Sequence, residues 1–239
     1  MHERACPCFP ARYSLGHMDW SGEWWVVILG PGLVFLVIGI LYFTRSRAFT
    51  FRSAAAQLGF VAFQGPNPSS AEVRKGFDLF SRGSDGKTAN MFADHFSTPS
   101  MLLFDFSYQS GLPPQAGARF NQTVAAFAVH LPGVPDFQMT AATALDGPVP
   151  APPAIHLDSH PDFARKYRLR AADEAAVRAF FSGPFLDRLT ASDPAATWSV
   201  EKAGPWLIVY HHNLLFPPKT IPESWQFVHE LANLFLAPR

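Results

Sequence analysis

The sequence predicts an α+β protein: a single N-terminal transmembrane helix, followed by one soluble domain of antiparallel strands that ends in a helix. Three observations predict it. Residues 24–43 run without a charge. Residues 101–108 and 120–131 alternate or cluster apolar side chains in the manner of paired strands. Residues 221–236 carry Trp225, Val228, Leu231, Leu234 and Phe235 at helical spacing.

The first element is the membrane segment, WWVVILGPGLVFLVIGILYF. At 1.5 Å per residue it makes a helix of about 30 Å, the thickness of a hydrocarbon core. Trp24 and Trp25 at one end and Tyr42 at the other suit the two interfaces. Thr44-Arg45-Ser46-Arg47 follows as a stop-transfer flank. The run exceeds a signal-peptide core and no small-x-small site follows it, so an uncleaved anchor is expected. Pro31 removes one backbone donor inside the span. Gly32 and Gly39 are seven apart, so there is no G-x-x-x-G dimerisation spacing. Arg45, Arg47 and Arg52 outweigh the near flank of Asp19 and Glu23, with Arg12 and Arg4 further out. The positive-inside bias then places the C-terminal domain in the cytoplasm. Residues 1–17 have no periodicity, and Met18 is the expected true start. Cys6 and Cys8, one residue apart and without a second pair, make a poor zinc site.

The expected organisation is a tail (1–23), the transmembrane helix (24–43), a juxtamembrane helix and linker (44–70) and the soluble domain (71–239). Residues 54–58 read as a short helix stopped by Gly59. Residues 64–70 and 146–153 are Pro-rich connectors. Residues 77–80 and 101–108 read as strands, and the latter forms a hairpin with 120–131. Residues 172–181 read as a helix with Asp173 and Glu174 at its start. Trp198–Lys202 and Trp206–His212 flank Ala203-Gly204-Pro205, a second hairpin. Thr220 with Glu223 matches a capping box for the last helix.

Balanced charge, 19 basic against 19 acidic side chains, excludes a strongly basic nucleic-acid binder. Two Cys in the first eight residues exclude a disulfide scaffold. Gly86-Lys87-Thr88 resembles the end of a phosphate loop, with Asp105 at the end of a later apolar run, but Ser81 stands where that motif needs glycine. No nucleophile elbow exists. Asn121-Gln122-Thr123 is a glycosylation acceptor that matters only in a secretory lumen. Arg165, Lys166, Arg168 and Arg170 read as a solvated face or a contact to anionic lipid heads. His211 and His212 point to opposite faces of a strand. The sharpest chemical pattern is His156, Asp158 and His160, with Asp162, at every second residue. In an extended chain these share a side, and Zn or Fe(II) accepts such ligands if His130 or His211 adds a fourth.

Phe80-Ser81-Arg82-Gly83, Asn90, Leu103-Phe104-Asp105-Phe106-Ser107-Tyr108, Gln122-Thr123-Val124 and the run from Pro161 to Leu169 carry a resemblance. They resemble an uncharacterised bacterial family of N-terminally membrane-anchored proteins with a soluble α+β domain. The similarity covers residues 54–236 and departs at 111–118. The resemblance implies architecture and a bacterial membrane setting, with no catalytic residue. The sequence thus reads as an anchored protein that binds a protein partner or the membrane surface, besides the lipid bilayer itself. No cofactor is expected. The alternative is a membrane-tethered metal-dependent hydrolase using His156, Asp158 and His160.

Overall fold

A computed structural model describes residues 24–62, 73–94, 100–111, 116–129, 133–142, 153–191 and 198–236. The tail with Cys6, Cys8 and Met18, the linker 64–70, most of the Pro-rich stretch 146–153, and His130 lie outside the described residues. The chain divides into two compact units, Met1–Arg45 and Ser46–Arg239.

Helix α1 runs over Trp24–Gln57 with Pro31 inside it. Its part Pro31–Gln57 is long and apolar enough to cross a membrane, with a mean hydropathy of 1.5. The single N-terminal apolar helix expected from the sequence is therefore present, and it continues through the residues read as a separate juxtamembrane helix. It stops where the sequence says it should. Gly59 adopts φ +82°, and the amide of Phe60 reaches back to the Ala55 carbonyl at 3.0 Å. That is the glycine-dependent wrap that satisfies the last carbonyls of a helix.

Ser46–Arg239 is built on one antiparallel sheet of eight strands. The strands are β1 (Val61–Ala62), β2 (Ser84–Ala93), β3 (Met101–Gln109), β4 (Arg119–Ala128), β5 (Phe137–Ala141), β6 (Tyr167–Arg170), β7 (Trp198–Ala203) and β8 (Trp206–His211). Their order across the sheet is β1-β2-β3-β4-β8-β7-β5-β6. Both hairpins read from the sequence form: β3 pairs β4 from Met101↔Phe127 to Gln109↔Arg119, and β7 pairs β8 around Gly204 at φ +53°.

Alternation along the strands sorts apolar side chains to two faces. Leu103, Ala125, Phe127, Val200, Leu207 and Val209 lie on the first. The helices covering that face are the end of α1, α3 (Pro161–Lys166), α4 (Glu174–Phe180), α5 (Gly183–Ala191) and α6 (Ile221–Leu236). Phe137, Phe181, Phe185 and Phe235 pack ring against ring at its centre, with centroids 5.1–6.3 Å apart. Leu102, Phe104, Phe106, Tyr108, Val124, Ala126, Ile208 and Tyr210 lie on the second face. Val73, Phe77 and α2 (Asp78–Ser81) cover part of it.

Several local readings are corrected. Residues 77–80, read as a strand, are instead the N-cap Phe77 and the first three residues of α2. Gly86-Lys87-Thr88 lies inside β2, which runs on to Ala93 where that motif needs a helix, so the phosphate-loop likeness ends there. Pro161 does not interrupt a strand; it occupies the first turn of α3, where its missing N–H costs nothing. The Thr220 hydroxyl donates to the Pro217 carbonyl at 3.2 Å, in a 3-10 turn that leads into α6.

Candidate functional site

Two polar clusters are built into the sheet, one on each face. Asp105 of β3 is 7 % exposed on the first face. A carboxylate there must be paired, because burial strips it of water. Arg47 of α1 supplies the charge, with Nη2 3.1 Å from Oδ1 and Nε 3.2 Å from Oδ2. Thr123 Oγ1 donates to Oδ1 at 2.7 Å and Asn90 Nδ2 to Oδ2 at 2.8 Å. Arg47 also donates to the Phe216 carbonyl at 3.0 Å and stands over the Phe51 ring. Every lone-pair direction of Asp105 is thus used, and Arg47 is a packed structural cation besides being a flank of the apolar span.

On the second face Glu201 of β7 is 2 % exposed. Its Oε2 accepts the amides of Asp78 and Leu79 at 2.8 and 3.4 Å, and Oε1 accepts the Tyr210 hydroxyl at 2.6 Å. Burial pushes the carboxyl pKa up, and the nearby Arg82 guanidinium pulls against it. Arg82 is itself buried and donates to Asp78 Oδ2 at 2.6 Å. Gly83, next to Arg82, lets the chain pass close to β3. It holds φ +65°, and a Cβ there would sit 2.1 Å from the Gln109 carbonyl oxygen. Beside the cluster, the His212 ring lies tilted against Phe120, with centroids 5.1 Å apart. Its pKa is lowered to about 4, by burial first and then by Arg82 and His211.

Glu201 also lines a groove of about 710 Å³ on the second face, within the usual range of ligand clefts. One wall is Arg74 to Ser81; the other side is Asp136–Gln138, Arg170–Ala172 and Glu201–Gly204. The strand register explains the floor. Gln138 is the cross-strand partner of both Glu201 and Arg170. An acid, an amide and a guanidinium therefore form one row across β7, β5 and β6. The groove's acids are already engaged: Asp78 by Arg82, Asp136 by Lys202 at 2.6 Å, and Glu201 as above. The Arg74 guanidinium lies 5.7 Å over the Phe106 ring.

The residues expected to hold a metal are not brought together. His156 and Asp158 are exposed, and the His156 carbonyl accepts Arg178. His160 precedes α3, with Nδ1 2.9 Å from Ser159 Oγ and Nε2 3.4 Å from Asp187 Oδ1. Among the described residues no group of three His, Cys, Asp or Glu is placed to hold a metal ion. The chain turns into a helix where an extended ladder was expected, so the every-second-residue spacing does not put the four side chains on one side. In the basic run, Arg165 pairs with Asp162, and Lys166 Nζ donates to the Thr190 carbonyl at 3.3 Å. Of the expected membrane-interface residues, Trp24 and Trp25 open α1 and Arg45 lies within it, while Tyr42 is 76 % exposed. His211 and His212 diverge as expected, to Trp198 and Phe120.

Sequence reasoning missed Asp78, Arg82, Glu201, Tyr210 and Gln138. A signal existed for part of this. Arg82, Asn90, Asp105 and Thr123 all belong to the short motifs that carried the family resemblance, and the structure shows them to be members of the two polar clusters.

No protein-family model matches the chain, and no curated protein does. Among solved structures the chain is similar to the mycobacterial trehalose monomycolate transport factor A, TtfA. The identity is 12 %, the TM-score is 0.54, and the match covers 80 % of this chain and 93 % of that one. At that identity the likeness shows a shared α+β fold.

Proposed function

We propose that this protein is a single-pass membrane-anchored accessory factor whose soluble domain binds a protein partner rather than performing catalysis. The observation that carries the reading is the exposure of α1. Leu33, Val34, Phe35, Leu36, Val37, Ile38, Ile40 and Leu41 are each 47–73 % exposed in one continuous stretch. An apolar surface of that extent needs a non-aqueous neighbour. The buried ionisable groups point the same way: Asp105 and Glu201 have their oxygens committed to structural donors rather than open to a substrate. A neighbour that is a transport factor fits an accessory role in transport.

In this reading the tail is 1–23, the membrane helix 24–43, the juxtamembrane segment 44–70 and the working domain 71–239. Trp24, Trp25, Tyr42, Arg45 and Arg47 flank the bilayer interfaces, and the arginine excess sets the domain in the cytoplasm of the inner membrane. Two experiments test it. Photo-crosslinking from the surface of the full chain in its native membrane should trap a discrete protein partner; a surface that traps none overturns the reading. A C-terminal fluorescent-protein fusion should fluoresce while a phosphatase fusion at the same position stays silent; the reverse pattern overturns the orientation.

A further inference from the structure

We propose that the groove over β7, β5 and β6 is the partner-binding site, and that its ligand is an extended acidic segment of a protein partner. The proposal rests on the reading of this chain as a partner-binding factor and assigns that binding to one surface. Its basis is charge left over after internal pairing. Asp78, Asp136 and Glu201 are satisfied by Arg82, Lys202 and Tyr210. On the wall formed by residues 74–81, Arg74 and the exposed Lys75 have no acidic partner among the described residues, and Arg74 is held in place over Phe80 and Phe106. The groove therefore presents fixed positive charge to an incoming ligand.

The floor adds a directional group. The Gln138 side-chain nitrogen is buried without a hydrogen-bond partner, and it lies in register between Glu201 and Arg170. A buried amide N–H asks for an acceptor. A carboxylate of the ligand takes that N–H once the half-buried Gln138 side chain turns outward, with Arg170 as neighbouring charge. The half-buried Phe80 lines the same groove and offers apolar contact to alternate side chains. Carboxylates alternating with apolar side chains along an extended peptide match this surface.

The test uses the full chain in phosphatidylcholine nanodiscs. The probe is a fluorescein-labelled octapeptide of alternating Glu and Leu, read by anisotropy, beside the same peptide with Gln for Glu. The Glu peptide should bind at least tenfold more tightly than the Gln peptide, and its affinity should fall with salt. Arg74→Glu with Lys75→Glu, which alters half-buried and exposed positions, should cost tenfold or more. Gln138→Leu should weaken binding several-fold. Equal binding of the two peptides, or unchanged binding to the charge-reversed protein, would overturn the assignment. So would binding to vesicles containing phosphatidylglycerol that the double substitution abolishes and the Glu peptide fails to compete; that result marks a lipid site. The parent reading fails separately. A crosslinked partner that survives the charge reversal removes the groove but keeps the accessory factor. Peptide binding with no partner trapped anywhere keeps the groove and removes the factor.

Discussion

Arg47 and Asp105, 58 residues apart in sequence, form an ion pair with Nη2 3.1 Å from Oδ1 that ties the end of α1 to the centre of the sheet. Their side chains are 17 % and 10 % exposed, so water screens the pair weakly. Removing one member leaves the other desolvated and unpaired. Arg47→Met or Asp105→Asn in the full chain should each lower unfolding free energy by about 3 kcal/mol. The double variant should lose at least about 1 kcal/mol less than the sum of the two. Urea denaturation followed by tryptophan fluorescence measures both quantities. Strict additivity would show that the pair is not coupled.

Gly83 offers a backbone test of the second-face cluster. Alanine at φ +65° is strained, and its Cβ would meet the Gln109 carbonyl oxygen at 2.1 Å. Gly83→Ala should cost about 3 kcal/mol or more, since the close neighbour is backbone that cannot step aside. Gly133→Ala is the control. It has a similar φ of +91° but nothing within 4 Å, so its cost should stay near 1 kcal/mol. Equal losses in the two thermal melts would contradict the steric account.

The core aromatic cluster predicts a larger loss. Phe235 of α6 is fully buried and its ring meets Phe137, Phe181 and Phe185. Phe235→Ala deletes the contact between α6, α5 and β5 and should cost about 3–5 kcal/mol by the transfer and cavity terms together. Phe235→Leu should recover much of it. A loss under about 1 kcal/mol in either melt would mean that α6 does not dock as described.

How much of this was legible depends on whether local pattern and tertiary packing agree. The apolar span, the β3–β4 hairpin, the Gly204 hairpin and α6 all carry their own period and their own stop signals, so the sequence predicts each of them. β2 was missed because Ser84–Asn90 is polar and mostly exposed, and it is a strand only because β3 supplies its hydrogen bonds. Residues 77–80 read as a strand because Phe77, Leu79 and Phe80 are all apolar, yet Glu201 accepts the amides of Asp78 and Leu79, which favours a helical start. The groove was invisible for the same reason. Gln138, Arg170 and Glu201 are far apart in the chain, and only the order β7-β5-β6 makes them a row.

The pH dependence separates two of the perturbed groups on the second face, His212 and Glu201, by sign. For His212 the folded pKa of about 4 lies below the ordinary 6.5, by burial and then Arg82 and His211. The unfolded chain binds the proton more readily there, so stability falls as pH drops from about 6.5 to about 4 and levels off below. Glu201 acts oppositely: burial raises its folded pKa above 4.5, so its contribution weakens as pH rises from about 4.5 through that raised value. His212→Phe keeps a ring against Phe120 and removes the titration. Its thermal midpoint should therefore fall less than that of the parent between pH 6.5 and 4. Glu201→Gln should change the profile above pH 4.5 and leave the His212 window in place. Midpoints measured in half-unit steps from pH 4 to 8 decide it. A His212→Phe profile parallel to the parent's would show that the imidazole titrates normally and is not desolvated beside Arg82.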